Sequence, residues 1–313
     1  MLLKRAVTNF LEGYFSTCER SEKTISAYTL DLRQFSSDLG ERTRLERITS
    51  EMLETWSVRL KNLGYASASI RRKFATVRVF FNYWVRKKRL EISPVRHIRL
   101  DLGKDKTLPK VLSLGETKQL LGEARRELGL VQKRVSEGVD TSFLAYRNLA
   151  MIDLLLGTGI RVGELVAISL ADLDLDEGII VIKGKGSRQR LALLPDSRSR
   201  KLLRSYLYRR ISVAGGQDLF LNVFGEPLST QGVAYAVSRL AEKAGIEKRV
   251  TPHMLRHTAA TLLLRNGADI RIVQEFLGHA SILTTQRYTH VTKEHMAHTL
   301  QACHPYFGEL ARR

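Results

Sequence analysis

The chain has 313 residues, a length that predicts two domains at the usual domain size. Its 43% hydrophobic and 27% charged residues are typical of a globular protein and exclude a largely disordered one. No apolar run reaches the roughly 18 residues that a membrane span needs. Lysine and arginine outnumber aspartate and glutamate by 51 to 32, a net charge of +19 that favours a polyanionic partner, nucleic acid first.

The cellular compartment is indicated by the cysteines and the N-terminus. Two cysteines, Cys18 and Cys303, are too few for a disulfide framework or a zinc finger. The N-terminal stretch reaches Glu12 before an apolar signal-peptide core forms, and it has no small-residue cleavage site. We therefore expect a cytoplasmic protein with no membrane association.

The first hundred residues are predicted to be all-helical. Apolar periodicity places helices near 2–16, 22–39, 50–63 and 67–90, with C-caps at Gly40 and Gly64. The last helix has apolar residues at helical spacing, which we assign to the core: Ile70, Phe74, Val77, Phe81 and Trp84.

The stretch between Glu54 and Glu91 contains basic residues and no acidic ones. A solvated helix face usually mixes charge signs, whereas a single-sign stretch repels itself unless a partner neutralises it. We therefore predict contacts with nucleic-acid phosphates, with a solvated face as the alternative. The assigned residues are Arg71, Arg72, Lys73, Arg78, Lys87 and Lys88.

A linker rich in proline and alternating charge follows and includes Gly103. It sets the domain boundary near residue 105, giving domains 1–104 and 105–313.

The second domain is predicted to be α-rich with one small β element. Ser113 and Glu116 have capping-box spacing for a helix of about ten residues. After it come a polar stretch at 125–142 and an apolar helix at 143–156 that ends at Gly157. A short helix is predicted at 162–169, a β-hairpin at 179–194 and an extended piece at 219–223. Helices also occupy the region after Pro195 and continue to the end of the chain.

Three segments could carry chemistry, and the first is LLLGTGIRVGEL. Its glycines match neither the dinucleotide fingerprint nor a P-loop. Arg161 at the start of a helix suits a phosphate, because backbone N–H groups and a guanidinium point the same way. An ordinary surface arginine is the alternative.

The second segment is TPHMLRHTAATLLL, in which Thr251 is the expected N-cap. His253, Arg256 and His257 then share one helix face. The two histidines are spaced like zinc ligands, but Met254 stands where the zinc motif requires glutamate, so no metal site is predicted. We expect His257 to be a buried structural histidine.

The third segment is EFLGHASILTTQRYTHV, where Gly278 ends a helix before His279 and Tyr288. A lone tyrosine is usually a packing residue. Tyr288 stands out because the chain has no G-x-S-x-G nucleophile elbow and no carboxylate cluster for metal ions. Arginines, a lysine, histidines and this tyrosine would suffice for phosphoryl transfer.

These segments resemble the tyrosine recombinases, also called the phage integrase family, and most of all its short Xer-like members. The matching stretches are GTGIRVGELVAISLADLD, GKGSRQR, TPHMLRHTAAT and LGHASILTTQRYTHV, in the family's order. The resemblance implies a mainly α fold, an all-helical N-terminal core-binding domain and an α-rich catalytic domain with a small β-hairpin. It implies these catalytic residues: Arg161, Lys185, His253, Arg256, His279 and Tyr288.

The implied chemistry needs those residue types together. Two guanidiniums stabilise a phosphoryl transition state without a metal. Tyr288 loses its proton as it attacks, and we assign His253 as the acceptor. Lys185 on the hairpin tip protonates the leaving 5′-oxygen, and His279 hydrogen-bonds the phosphate. Because a 3′-phosphotyrosine keeps the ester, neither ATP nor a metal nor another cofactor is implied.

The resemblance also implies site-specific recombination of double-stranded DNA through a Holliday junction. We expect a tetramer on an inverted-repeat core site, formed by this chain alone or with a paralogous recombinase. Because the chain starts directly with the core-binding domain, we expect no arm-binding module. Chromosome or plasmid dimer resolution and integration or excision of a mobile element are both consistent with this.

Several alternatives stay open at this stage. Two alternative functions are a non-catalytic DNA-binding or architectural protein with the same fold and a type IB topoisomerase. Lys183 replaces Lys185 if the hairpin register differs, and 125–142 is longer than in compact relatives. The tail HVTKEHMAHTLQACHPYF resembles the Xer C-terminal helix that packs into a neighbouring protomer, and a helix folded onto its own domain is the alternative.

Overall fold

The computed structural model describes residues 1–18, 22–103, 110–135, 142–184, 189–194, 196–210, 216–278 and 293–304. It divides into two compact units, Met1–Thr107 and Leu108–Arg313. Each unit has its own apolar core. No helix in the described ranges combines the length and apolarity needed to cross a bilayer.

The N-terminal unit consists of helices around an aromatic core. The helices are α1 (Leu3–Phe15), α2 (Glu22–Leu39), α3 (Ser50–Asn62) and α4 (Ser67–Arg86). Gly40 and Gly64 follow α2 and α3 with φ of 91° and 79°, the left-handed conformation that ends a helix. Phe35 contacts Trp56 and Phe80 edge to face, which joins α2, α3 and α4.

Helix α4 buries the predicted apolar stripe and ends earlier than predicted. Four consecutive cations, 86–89, lie at its C-terminus, where the helix dipole favours positive charge. Lys88 adopts a φ of 55°. Its N–H donates to the Val85 carbonyl at 2.9 Å, and the Arg89 N–H donates to the Trp84 carbonyl at 3.0 Å. These two bonds close the helix at Arg86, so the predicted extension to residue 90 is wrong.

The second unit is mainly helical with one small sheet. Its helices are α5 (Leu114–Val135), α6 (Ser142–Thr158), α7 (Val162–Val166), α8 (Ser197–Arg210), α9 (Thr230–Lys243), α10 (Pro252–Arg265), α11 (Ile270–Leu277) and α12 (Lys293–Cys303). Its strands are β1 (Leu173–Asp174), β2 (Ile179–Lys183) and β3 (Gln189–Leu193).

The capping box at the start of α5 is confirmed. The Ser113 N–H donates to Glu116 Oε2 at 2.7 Å, and the Glu116 N–H donates to Ser113 Oγ at 3.1 Å. The helix is about twice as long as predicted, because residues 125–135 continue it. Glu127 on its polar face pairs with Arg239 and Lys243 of α9. The polar sequence there is a helix surface held by ion pairs, so the stretch that was expected to follow the helix belongs to it up to Val135.

Helix α6 is the buried centre of this unit, and its end positions the next functional segment. Nearly every residue from Ala145 to Thr158 is buried, so α5, α8 and α10 pack around it. The helix continues through Gly157 to Thr158, one residue beyond the predicted end. Gly159 then turns the chain with a φ of 58°, and a side chain there would overlap the Phe276 ring.

The predicted hairpin is confirmed as β2 and β3. The strands pair antiparallel, with Ile179 opposite Leu193 and Lys183 opposite Gln189. Strand β1 adds a third antiparallel strand on the outer side of β2. With two residues it is too short to produce an alternating pattern in the sequence.

Helix α12 packs onto its own unit. Leu300 of α12 is fully buried in a cluster with Leu263 and Phe276. His304 follows α12, and its Nε2 lies 3.1 Å from the Leu156 carbonyl oxygen. Exchange of the tail with a neighbouring protomer stays a prediction, because residues 305–313 lie outside the described ranges.

Candidate active site and DNA-binding surface

Arg161 lies at the N-cap of α7, directly after the turn at Gly159. Its backbone N–H donates to Glu164 Oε2 at 2.8 Å, and its Nη1 donates to Glu164 Oε1 at 2.8 Å. The side chain keeps 42% of its surface exposed. One carboxylate thus fixes both ends of the residue while part of the guanidinium faces solvent.

Arg256 enters the same region from α10 and is 5% exposed. Its Nη1 donates to the Gly159 carbonyl at 2.5 Å, and its Nη2 donates to the Leu277 carbonyl at 2.6 Å. Burial, and next the charge of Arg161, lowers the pKa of Arg256 to about 10, so the group stays cationic at neutral pH. The residue joins the turn before Arg161 to the end of α11.

Two further residues belong to the cluster around Arg161 and Arg256, and neither was predicted from the sequence. Glu164 lies three residues after Arg161, and Arg190 of β3 places its Nη2 at 2.8 Å from Glu164 Oε2. Burial acts to raise the pKa of Glu164, but the Arg161 N–H and the charges of Arg190 and Arg161 outweigh it and lower the pKa. The available signals were the capping-box spacing of Glu164 and the last arginine of GKGSRQR.

The two histidines of α10 are both exposed. His253 lies in the first helical turn, three residues before Arg256. His257 was expected to be a buried structural histidine, and that prediction is wrong. Thr258 takes the buried position instead, since its Oγ1 accepts the Leu112 N–H at 2.9 Å and donates to the Met254 carbonyl at 2.8 Å.

Lys183 ends β2 in an ion pair, with its Nζ 2.8 Å from Asp172 Oδ1. Lys185, His279 and Tyr288 lie outside the described residues, so their assignments stay predictions. Gly278, just before His279, ends α11 with a φ of 62°, as predicted.

No group of three potential metal ligands among histidine, cysteine, aspartate and glutamate occurs in the part of the chain that the structure describes. The cluster around Glu164 is instead rich in cations. Its chemistry suits an anion bound directly by guanidinium groups.

Helix α4 presents a basic stripe on the exposed side of the N-terminal unit. The stripe comprises Arg71, Ala75, Arg78, Asn82 and Arg86, which recur at helical spacing and are all exposed. Asn82 and Arg86 are additions to the predicted set. Arg72 is half-exposed, and its Nη1 lies 2.6 Å from Asp31 Oδ2.

Lys73 is a correction to the predicted DNA-binding set. It is 3% exposed and donates to Asp31 Oδ1 at 3.0 Å and to Gln34 Oε1 at 2.7 Å. Asp31 also accepts from Thr76 Oγ1 at 3.2 Å. Because Asp31 is fully buried, it requires a nearby cation, and Lys73 supplies it.

Family models match both units of the chain. The model of the phage integrase family matches residues 131–295, more than half of the chain, and that of the phage integrase N-terminal SAM-like domain matches residues 7–88. The chain belongs to the phage integrase family, the tyrosine recombinases. It is therefore an enzyme of site-specific DNA recombination.

Curated relatives of this tyrosine recombinase align over nearly their whole length. Tyrosine recombinase XerD of Oceanobacillus iheyensis is 36% identical, and the alignment covers 97% of this chain and 99% of the relative. Tyrosine recombinase XerC of Listeria innocua is 35% identical, over 95% of this chain and 96% of the relative.

Solved structures of recombinases share the fold. The XerH site-specific recombinase bound to a palindromic difH substrate has a TM-score of 0.68 at 24% identity, over 98% of this recombinase and 82% of that chain. A lambda integrase tetramer bound to a Holliday junction has a TM-score of 0.67 at 19% identity, and the match covers 93% of this recombinase and 80% of that chain.

Proposed function

We propose that this recombinase cleaves DNA by forming a 3′-phosphotyrosine with Tyr288 while Arg161 and Arg256 hold the scissile phosphate. The observation that carries the proposal is that the Arg256 guanidinium of α10 is hydrogen-bonded to the Gly159 carbonyl, two residues before Arg161 at the N-cap of α7. Such a pair places fixed positive charge where the transition state becomes more negative, without a metal ion.

Two of the remaining groups move protons, and the third binds the phosphate. His253 accepts the proton of the Tyr288 hydroxyl as its oxygen attacks phosphorus. Lys185 donates a proton to the 5′-oxygen as the phosphorus–oxygen bond breaks, and His279 hydrogen-bonds a phosphate oxygen. The 5′-hydroxyl of a partner strand reverses the step and releases the tyrosine.

The exposed stripe of α4 is the proposed DNA surface of the N-terminal domain. It carries three arginines and no acidic residue. A groove of about 370 Å³ beside it is lined by Arg78, Asn82 and Arg96, together with one acidic residue, Glu91. Arginine and asparagine are suited to phosphate and to base edges in the major groove. Lys87 and Lys88, exposed at the end of the helix, extend this surface.

We place the domain boundary in the linker near residue 105, with core-binding residues 1–104 and catalytic residues 105–313. The proposed substrate is double-stranded DNA with an inverted-repeat core site, bound by a tetramer of this chain alone or with a paralogue, in the cytoplasm. A tetramer on a Holliday junction is the form described for lambda integrase. Dimer resolution and the movement of a mobile element are the two roles this proposal covers.

Covalent trapping tests the mechanism. The wild-type chain and Tyr288→Phe are incubated, without Mg²⁺, with nicked suicide duplexes that carry candidate core sites. We expect a protein–DNA adduct on denaturing gels with the wild-type chain and none with the variant. Specific binding without any adduct would contradict the catalytic proposal in favour of an architectural protein. Relaxation of plasmids that lack a core site would instead indicate a topoisomerase.

A further inference from the structure

Arg190 lies where three functional segments meet. It belongs to β3, which follows the hairpin turn that carries Lys185. Its Nη2 donates to Glu164 Oε2 in α7. Its side chain also fills the space beside Gly278, the residue before His279, since any side chain at Gly278 would overlap it. A change at Arg190 therefore reaches all three segments.

Glu164 is the carboxylate at the centre of this cluster. Its Oε1 accepts from Arg161 Nη1, and its Oε2 accepts from Arg190 Nη2 and from the Arg161 backbone N–H. Both carboxylate oxygens are thus occupied by donors from two arginines.

The carboxylate and a phosphate compete for the same arginine. A guanidinium fork binds either a carboxylate or a phosphate through paired N–H groups. With Arg161 as its only cationic partner, Glu164 would attract both arms of that fork. With Arg190 at Oε2, the guanidinium of Arg161 contributes only Nη1 to the carboxylate, and the Arg161 side chain keeps 42% of its surface exposed.

We propose that Arg190 is a positioning residue for DNA cleavage: it neutralises Glu164, so that the fork of Arg161 stays available for the scissile phosphate. This inference rests on the proposed function, because it assigns the phosphate to Arg161.

A second observation supports a functional reason for Arg190. Its Nη1 is buried and has no hydrogen-bond partner in the part of the chain that the structure describes. An unsatisfied buried donor on a cation costs folding free energy. Burial also lowers the pKa of Arg190, although the charge of Glu164 opposes that shift. Stability alone therefore does not account for an arginine at this position.

The test is a double-mutant cycle in the full-length chain. Arg190→Met, Glu164→Gln and the double variant are compared with wild type in single-turnover cleavage of a suicide duplex at saturating protein, with DNA affinity measured separately. We expect Arg190→Met to cleave about tenfold to a hundredfold more slowly at little cost in affinity. The double variant should regain at least about tenfold over Arg190→Met, because the unneutralised carboxylate is gone.

A purely structural Arg190 would give the opposite result. In that case Glu164→Gln would reduce the cleavage rate further or leave it unchanged in the Arg190→Met background. A double variant that cleaves no faster than Arg190→Met would overturn the proposal. Arg126→Met, which removes an Arg–Glu pair on α5, is the matched control and should cleave at the wild-type rate. Should circular dichroism show Arg190→Met to be unfolded, Arg190→Gln with and without Glu164→Gln decides the question by the same recovery, because glutamine also lacks the charge that neutralises Glu164. A wild-type chain that forms no Tyr288-dependent adduct would contradict the proposed function instead.

Discussion

Arg256 combines a structural position with a proposed catalytic role in one side chain. Two of its N–H groups are used by backbone carbonyls at Gly159 and Leu277, in segments that precede Arg161 and His279. The remaining donors stay beside the cationic cluster. Because the guanidinium is planar, the two carbonyls also fix the orientation of those remaining donors.

A lysine cannot reproduce this geometry. In Arg256→Lys one buried carbonyl loses its donor, which costs about 1–3 kcal/mol of unfolding free energy. The clamp on the phosphate is lost as well, so we expect cleavage to slow by about 10² to 10³. Urea unfolding and single-turnover cleavage measure the two effects. His257→Gln on the exposed side of α10 is the control and should change stability by less than about 0.5 kcal/mol. A wild-type cleavage rate in Arg256→Lys would contradict the assignment.

Helix α4 separates two kinds of cation that the sequence presents alike. Arg71, Arg78 and Arg86 lie on the exposed stripe, whereas Lys73 lies on the buried side against Asp31. The helix therefore has one exposed face, the proposed DNA surface, and one face that stabilises the fold of its domain.

Substitutions on the two faces should act on different quantities. Arg78→Gln should weaken DNA binding and reduce the slope of log affinity against log salt by about 1, with unchanged stability. Lys73→Met should leave that slope unchanged and destabilise the chain by about 2 kcal/mol, because Asp31 loses a buried donor. Salt titrations of DNA binding and thermal unfolding distinguish them. Equal salt slopes for Arg78→Gln and wild type would remove Arg78 from the DNA surface.

Helix α12 is held against its own domain by a buried histidine that follows it. Burial lowers the pKa of His304 from 6.5 to about 4. In the unfolded chain His304 thus takes up a proton as the pH falls below 6.5, whereas in the folded chain it does so only near pH 4. The stability that neutral His304 contributes is present above pH 6.5 and is lost as the pH falls to about 4.

Thermal unfolding of wild type and His304→Gln across this range tests the linkage. The Tm difference between the two proteins should be largest near neutral pH and shrink toward about pH 4. Comparing the pair is necessary because Asp153 acts oppositely: burial raises its pKa to about 7, so its contribution falls as the pH rises. A Tm difference that is constant with pH would show that His304 titrates as an ordinary exposed histidine.

The whole molecule carries a net charge of +19, with basic residues in both domains. Binding to DNA therefore displaces many counterions. We expect affinity for a core site to fall by about a thousandfold between about 50 and about 200 mM salt, as for a protein with six or more phosphate contacts. Fluorescence anisotropy with labelled duplexes measures this dependence. A nearly flat dependence would contradict a phosphate-dominated interface.

The sequence by itself determined the features that depend on neighbouring residues. Helical periodicity, the Ser113–Glu116 capping box, the hairpin and the left-handed glycines at 40, 64 and 278 all act within a few positions, and all are present. Local pattern also placed Arg161 and Arg256 in the candidate site, through motifs that resemble a known family.

Only the tertiary structure decided which residues meet across long separations. Lys73 and Asp31 are 42 residues apart, Arg190 and Glu164 are 26 apart, and Arg256 and Gly159 are 97 apart. The same holds for the exposure of His257 and for the packing of α12 onto its own domain. The physical reason is that burial and ion pairing depend on which distant segments the core brings together, whereas capping and periodicity are local properties of the backbone.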